Sequence, residues 1–156
     1  MNKIINRKNF ISLIIITIIF FLDRYSKIQI VNNFNDNSFY VNQFLNLDLT
    51  WNTGIGFGLL SFDNNIYYNS ISILIALVIF FLIYLSLKTD IYEKIIFSLI
   101  IGGAFGNLYD RLTFRAVPDF IDLHYREFHW FTFNVADIFI TLGIIAYILK
   151  GSTSSN

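Results

Sequence analysis

Long apolar runs alternate with short polar stretches along this chain, and the runs have the length of membrane-spanning helices. Apolar residues dominate 10–28, 68–87, 95–110 and 131–149, and about twenty are needed to cross a hydrocarbon core. The first run follows Lys3, Arg7 and Lys8 and leads into DRYSK at 23–27. No small-x-small cleavage pattern follows it, so it reads as an uncleaved first span rather than a removable leader. The third run is the shortest and needs residues 107–109 to approach the thickness of a bilayer.

Between the first two runs the period changes. LNLDLTWN, at 45–52, alternates strictly, as a half-buried strand does, and a glycine-rich turn, TGIGFG at 53–58, follows it. The pattern predicts a membrane all-α fold: four transmembrane helices with a small extracytoplasmic β element between helices 1 and 2. No Gly/Ser linker, long charge run or internal repeat divides the chain, so residues 1–156 read as one domain.

Composition sharpens the class. The chain is 55% hydrophobic and 14% charged, where a soluble domain carries about a quarter charged residues. Charge placement gives an orientation. The N-terminus, the loop between the second and third runs, and the tail together hold six bases against two acids; the other segments hold five bases against nine acids. Positive-inside bias puts both termini in the cytoplasm and the polar residues of interest at the outer face. Aromatics such as Tyr40, Trp51, Phe128 and Trp130 crowd the outward segments, as an interfacial belt would. The formal net charge is zero, and no feature indicates a nucleic-acid partner.

With no cysteine in the chain, thiolate catalysis, disulfides and Cys-ligated metals are excluded. His124 and His129, five residues apart in a loop-like region, match no metal-ligand pattern, and interfacial hydrogen bonding accounts for both. Asp137 is the informative residue. It shares a helix face with Asn134 about one turn inside the fourth run, at a depth where an unpaired carboxylate costs a few kcal/mol, about 2.5–3.5 on insertion scales. A buried ion pair or a role at the helix N-terminus would account for it structurally. Asp119 lies upstream in VPDFID, and the chain between must return to the start of the fourth run. Two carboxylates meeting in a low-dielectric site share a proton, which provides one acid and one base to activate water. Asp110, in GGAFGNLYDR at 102–111, could replace Asp119 on chemistry alone; Asn107 is on its helical face and Arg111 is adjacent. Gly102 and Gly106 form a small-xxx-small packing face. Ser26 and Lys27 are sequence neighbours and point apart on a helix, so they make a poor dyad. Ser61 or Ser70 with a loop histidine is the remaining, weaker hydrolytic set.

Five blocks, in order, resemble the motifs of lipoprotein signal peptidase (signal peptidase II), an aspartic peptidase family of bacterial inner membranes. They are DRYSK at 23–27, NTGIGFG at 52–58, GGAFGNLYDR at 102–111, VPDFID at 117–122 and FNVAD at 133–137. The resemblance implies removal of signal peptides from prolipoproteins immediately before a diacylglyceryl-modified cysteine, by a monomer working among membrane lipids without metal or cofactor. It implies Asp119 and Asp137 as the catalytic pair. Asn52, Gly54, Asn107, Asp110, Arg111, Asn134 and Ala136 would shape the site or hold substrate, with Asp23 and Lys27 in support. It also implies an outward β-cradle and sensitivity to globomycin. The chain departs from the family where two alanines usually follow N-x-G: it has Ile55 and Gly56. Pro118 stands at a variable position, where its ring fixes φ ahead of Asp119. The rival expectation is a small transporter in which Asp110 and Asp137 line a polar path, and it would require further ionisable groups on the inner half of the spans.

Overall fold

The computed structural model of the chain describes residues 6–34, 38–54 and 65–153. It contains helices α1 (Arg7–Asn33), α2 (Asn65–Lys88), α3 (Ile91–Phe114) and α4 (Val135–Thr153), and strands β1 (Phe39–Asn42), β2 (Leu45–Asn52), β3 (Val117–Tyr125) and β4 (Phe128–Phe133). Residues 55–58 of the expected glycine-rich turn, and Ser61, lie outside the described residues, as does the Ile55-Gly56 departure. Local signals account for the helix ends. Asn6 caps α1 by accepting from the Asn9 N–H at 2.8 Å. Asp90 caps α3 through the N–H groups of Tyr92 and Glu93, at 2.9 and 3.1 Å, and Arg115 ends that helix in the left-handed region. The third apolar run thus sits in a full 24-residue helix, longer than the run alone suggested, because residues 91–94 precede it and residues 111–114 continue it.

The molecule carries its apolar surface outside. Phe21 on α1 is 63% exposed and Phe80 on α2 is 68% exposed, whereas Asp23, Lys27, Asp110 and Asn134 are wholly buried. Such a continuous exposed apolar surface belongs against lipid. Within α2 and α3, Tyr68–Lys88 and Ile91–Phe114 are long and apolar enough to cross a membrane.

Helix α3 is the hub and packs on α1, α2 and α4. Its glycines permit close approach. A Cβ on Gly102 would sit 2.9 Å from that of Ile19 on α1, and one on Gly106 would press into the Asp23 carboxylate. Gly103 faces α4 instead, where a Cβ would lie 2.5 Å from the Ala136 carbonyl oxygen. In an open helix Gly→Ala stabilises by about 1 kcal/mol. Here the sign reverses, because backbone must move to admit the methyl group: Gly103→Ala is expected to cost about 1–3 kcal/mol, read as a lower thermal midpoint in detergent.

The four strands form one antiparallel sheet in the order β1-β2-β3-β4. This corrects the expected β element in one respect. The strand at 45–52 is present, but half of the sheet comes from the segment between α3 and α4, not from the α1–α2 connection alone. Residues 131–133, assigned by pattern to the fourth span, belong to β4; alternation in a short aromatic strand is easily merged with the helix that follows. His124 and His129 are not in a loop but face each other across β3 and β4. Their rings stack at 5.4 Å, and His129 Nδ1 lies 2.7 Å from Asp122 Oδ2. Among the described residues, no group of His, Asp or Glu could hold a metal ion.

Candidate active site

Asp119 is delivered by β3. Thr50 of β2 pairs with it, and β4 begins its pairing with β3 only at Ile121. The start of β3 therefore has a single sheet neighbour, which allows Pro118 there without a lost ladder bond on the other side. Asp119 is 2% exposed. Its Oδ2 accepts from Asn52 Nδ2 at 2.8 Å and its Oδ1 from Asn134 Nδ2 at 2.6 Å. Asn52 is itself oriented, because its Oδ1 accepts the Gly54 N–H at 2.9 Å. Burial pushes the Asp119 carboxyl up from 3.8 to about 6, with the Asp137 carboxylate adding to the effect and the two asparagine amides opposing it.

Asp137 is delivered by the first turn of α4. Asn134 precedes that helix, and the two residues form a reciprocal capping box. Asn134 Oδ1 accepts the Asp137 N–H at 3.1 Å, while Asp137 Oδ2 accepts the Asn134 N–H at 3.2 Å. The helix-terminus role and the site role are thus one arrangement: the cap fixes the carboxylate, and the remaining oxygen, Oδ1, accepts from Asn107 Nδ2 at 2.8 Å. Asn134 holds both aspartates, one through its amide nitrogen and the other through its backbone and oxygen. Both carboxylates line one cavity of about 450 Å³, with Asn52, Asn107, Arg111 and Asn134.

Asp110 goes elsewhere. It pairs with Arg24 and with Lys27, whose Nζ is 2.7 Å from Asp110 Oδ2. The same ammonium donates to Asp23 Oδ2 and to Asn107 Oδ1, each at 2.8 Å. Two acids and two bases make a formally neutral buried cluster beneath the cavity, as ionised groups in such surroundings require. The cluster reaches the cavity through two contacts. Lys27 holds the oxygen of Asn107, so its nitrogen faces Asp137. Asp23 Oδ1 accepts the Ala136 N–H at 3.0 Å, placing a carboxylate at the N-terminus of α4, where the helix dipole favours it. Arg111 joins the opposite wall: its Nη2 donates to the Gly54 carbonyl at 2.6 Å, and the Tyr68 hydroxyl donates to the Arg111 carbonyl at 3.2 Å.

All eleven positions singled out in the sequence therefore gather around this cavity or the cluster below it. Arg24 was missed. Its guanidinium lies 4.7 Å from the centroid of the Tyr109 ring while pairing with Asp110; a base among the charges ending an apolar run was the available signal. The wall contributed by α2, including Leu74, Val78 and Leu82, carried no signal, since these residues look like any lipid-facing leucine or valine.

Chemically, the arrangement offers two aspartates in one buried cavity, one with a raised proton affinity, and amide donors on each of their oxygens. Known proteins resemble the chain over nearly its whole length. A family model described as signal peptidase (SPase) II matches residues 15–152. A lipoprotein signal peptidase of Pelagibacter ubique is 53% identical over 153 residues, covering 96% of this chain and 92% of that protein. One of Anaplasma phagocytophilum is 40% identical over 145 residues, covering 91% and 92%. A bacterial membrane enzyme solved by the in meso method at 2.3 Å resolution superposes with a TM-score of 0.77 at 29% identity, covering 93% of this chain and 89% of its own. The chain belongs to the signal peptidase II family.

Proposed function

We propose that this peptidase removes signal peptides from diacylglyceryl-modified prolipoproteins by means of an Asp119–Asp137 pair that activates water, cutting before the lipidated cysteine. The observation that carries the reading is the joint tenure of both carboxylates by Asn134 at one cavity. One carboxylate takes a proton from the water as its oxygen attacks the scissile carbonyl carbon. The other, protonated, hydrogen-bonds the carbonyl oxygen as negative charge develops there. When the tetrahedral intermediate collapses, the C–N bond breaks and the proton passes to the departing amine. Asn52 and Asn107 hold the two carboxylates in position, and Arg111 meets substrate carbonyls. No metal or organic cofactor takes part.

All four helices span the bilayer in this reading, with both termini cytoplasmic. The charge bias described above supports that orientation, as does the collection of Asp23, Asp119 and Asp137 at the sheet end, away from Lys88, Lys94 and Lys150. The single domain works as a monomer in the bacterial cytoplasmic membrane, and lipid-anchored substrate approaches without leaving the bilayer.

Gel-shift cleavage of a diacylglyceryl-modified prolipoprotein by the purified protein tests the activity; a folded protein that releases no signal peptide would overturn it. A pH profile tests the pair. A shared proton requires one carboxyl ionised and one protonated, so kcat/KM should rise as the first ionises and fall as the second does. The raised affinity of Asp119 sets the falling limb at about 6 in the free enzyme. A rate that climbs steadily with pH to the point of unfolding would contradict the shared proton.

A further inference from the structure

Asp137 borders two cavities. Besides the large one shared with Asp119, a second of about 240 Å³ lies against Phe131, Phe133, Ile138, Thr141 and Leu142. Thr141, one helical turn beyond Asp137, also borders both. The first two turns of α4 are therefore a partition between two spaces, with Asp137 at their common edge.

The two spaces differ in chemistry. Apolar side chains wall most of both, Leu74, Val78, Ile79 and Leu82 among those of the large cavity, but the large cavity also offers Asn52, Asn107, Asn134 and Arg111, and among the described residues Nε and Nη1 of Arg111, 4% exposed, have no hydrogen-bond partner. Such a cavity suits a peptide, whose buried amides and carbonyls need partners. The small cavity presents aromatic rings and aliphatic side chains, and beyond Asp137 its only polar side chain among the described residues is that of Thr141. The Phe131 and Phe133 rings stand 5.8 Å apart on its sheet side. Ile138 and Leu142 are 37% and 51% exposed on the surface that faces lipid, so the cavity opens sideways.

The substrate has two apolar arms that diverge at the bond to be cut. The signal peptide leads away on one side, and acyl chains leave from the cysteine on the other. Resting on the peptidase reading above, we propose that the small cavity is an acyl-chain subsite: it receives a fatty-acyl chain of the diacylglyceryl group while the signal peptide occupies the large cavity. The chain slides in from the bilayer past Ile138 and Leu142, and its seating brings the adjoining peptide bond to Asp137. The site thereby selects for lipidated cysteine without any polar contact to the lipid.

The test uses the full-length protein and a prolipopeptide carrying either C16 or C8 acyl chains. Wild type should prefer C16 by about tenfold or more in kcat/KM, chiefly through KM. Leu142→Trp, which fills the cavity without touching the dyad, should bring that ratio to about one. If wild type cuts neither substrate, the peptidase reading fails and takes this inference with it. If wild type cuts but Leu142→Trp keeps the chain-length preference, only the subsite is overturned. Independently, Asp119→Asn protein holding uncut substrate with a diazirine in the acyl chain should crosslink at Phe131, Ile138 or Leu142. Crosslinks on α2, at Leu74 or Val78, would overturn the assignment, as would labelling that a photoactivatable phospholipid reproduces equally.

Discussion

Asp137→Asn is expected to yield a folded protein whose cleavage rate is about 10³-fold or more below that of wild type. General acid–base catalysis contributes about 10²–10⁴, and in the proposed mechanism the lost group is one of two that manage the water. The carboxylate accepts one N–H on each oxygen, from Asn107 at 2.8 Å and from the Asn134 backbone at 3.2 Å. A carboxamide retains a single acceptor oxygen and cannot take up a proton. The structural loss is one hydrogen bond, about 1 kcal/mol, so thermal unfolding in detergent should change little while gel-shift rates collapse. A variant within tenfold of wild type would remove Asp137 from the chemistry.

Lys27→Met has the largest expected effect on stability, and it reaches activity by a different route. The Lys27 ammonium is fully buried and lies within 2.8 Å of oxygens on Asp23, Asn107 and Asp110. Its removal leaves Asp110 paired with Arg24 but Asp23 with no cation, a net charge of −1 in the cluster. Breaking a buried pair in this way costs about 3–5 kcal/mol, visible as a large drop in thermal midpoint. Lys27→Met/Asp23→Asn removes the carboxylate left without a cation and should recover part of the loss, because the two sites are coupled. Activity should not recover with it. Asn107 has lost the partner that holds its oxygen, so its amide can turn and present oxygen to Asp137, and the carboxylate loses its donor. Stability and activity that return together would contradict this relay.

Much of the site was legible in the sequence because ionisable groups are rare in apolar helices and each therefore stands out. Asp110 and Asp137 were visible for this reason, whereas Asp23 and Lys27 entered only through the family resemblance, and the i, i+3 spacing of Asn134 and Asp137 already placed both on one face. The choice between Asp110 and Asp119 was not legible from chemistry. Both are acids close to the same helix end, and only the pairing of β3 with β2 and with β4 takes Asp119 to Asn52 and Asn134 while Arg24 and Lys27 take Asp110. The sheet was half legible. Alternation marked β2, but β3 is buried along most of its length, so VPDFIDLHY shows little period two, and β4 runs into α4 as one hydrophobic stretch. Backbone partners, such as the Ala136 N–H for Asp23, have no sequence signature.

Asp119 and Asp137 form the dyad only if both are indispensable and Asp110 is not. The most direct measurement is the gel-shift rate of Asp119→Asn beside that of Asp110→Asn, each matched to wild type for folding. The predicted result is no detectable cleavage by Asp119→Asn and residual cleavage by Asp110→Asn, whose loss weakens the cluster but spares the cavity. A folded Asp110→Asn that is inactive, beside an Asp119→Asn that still cuts, would contradict the dyad.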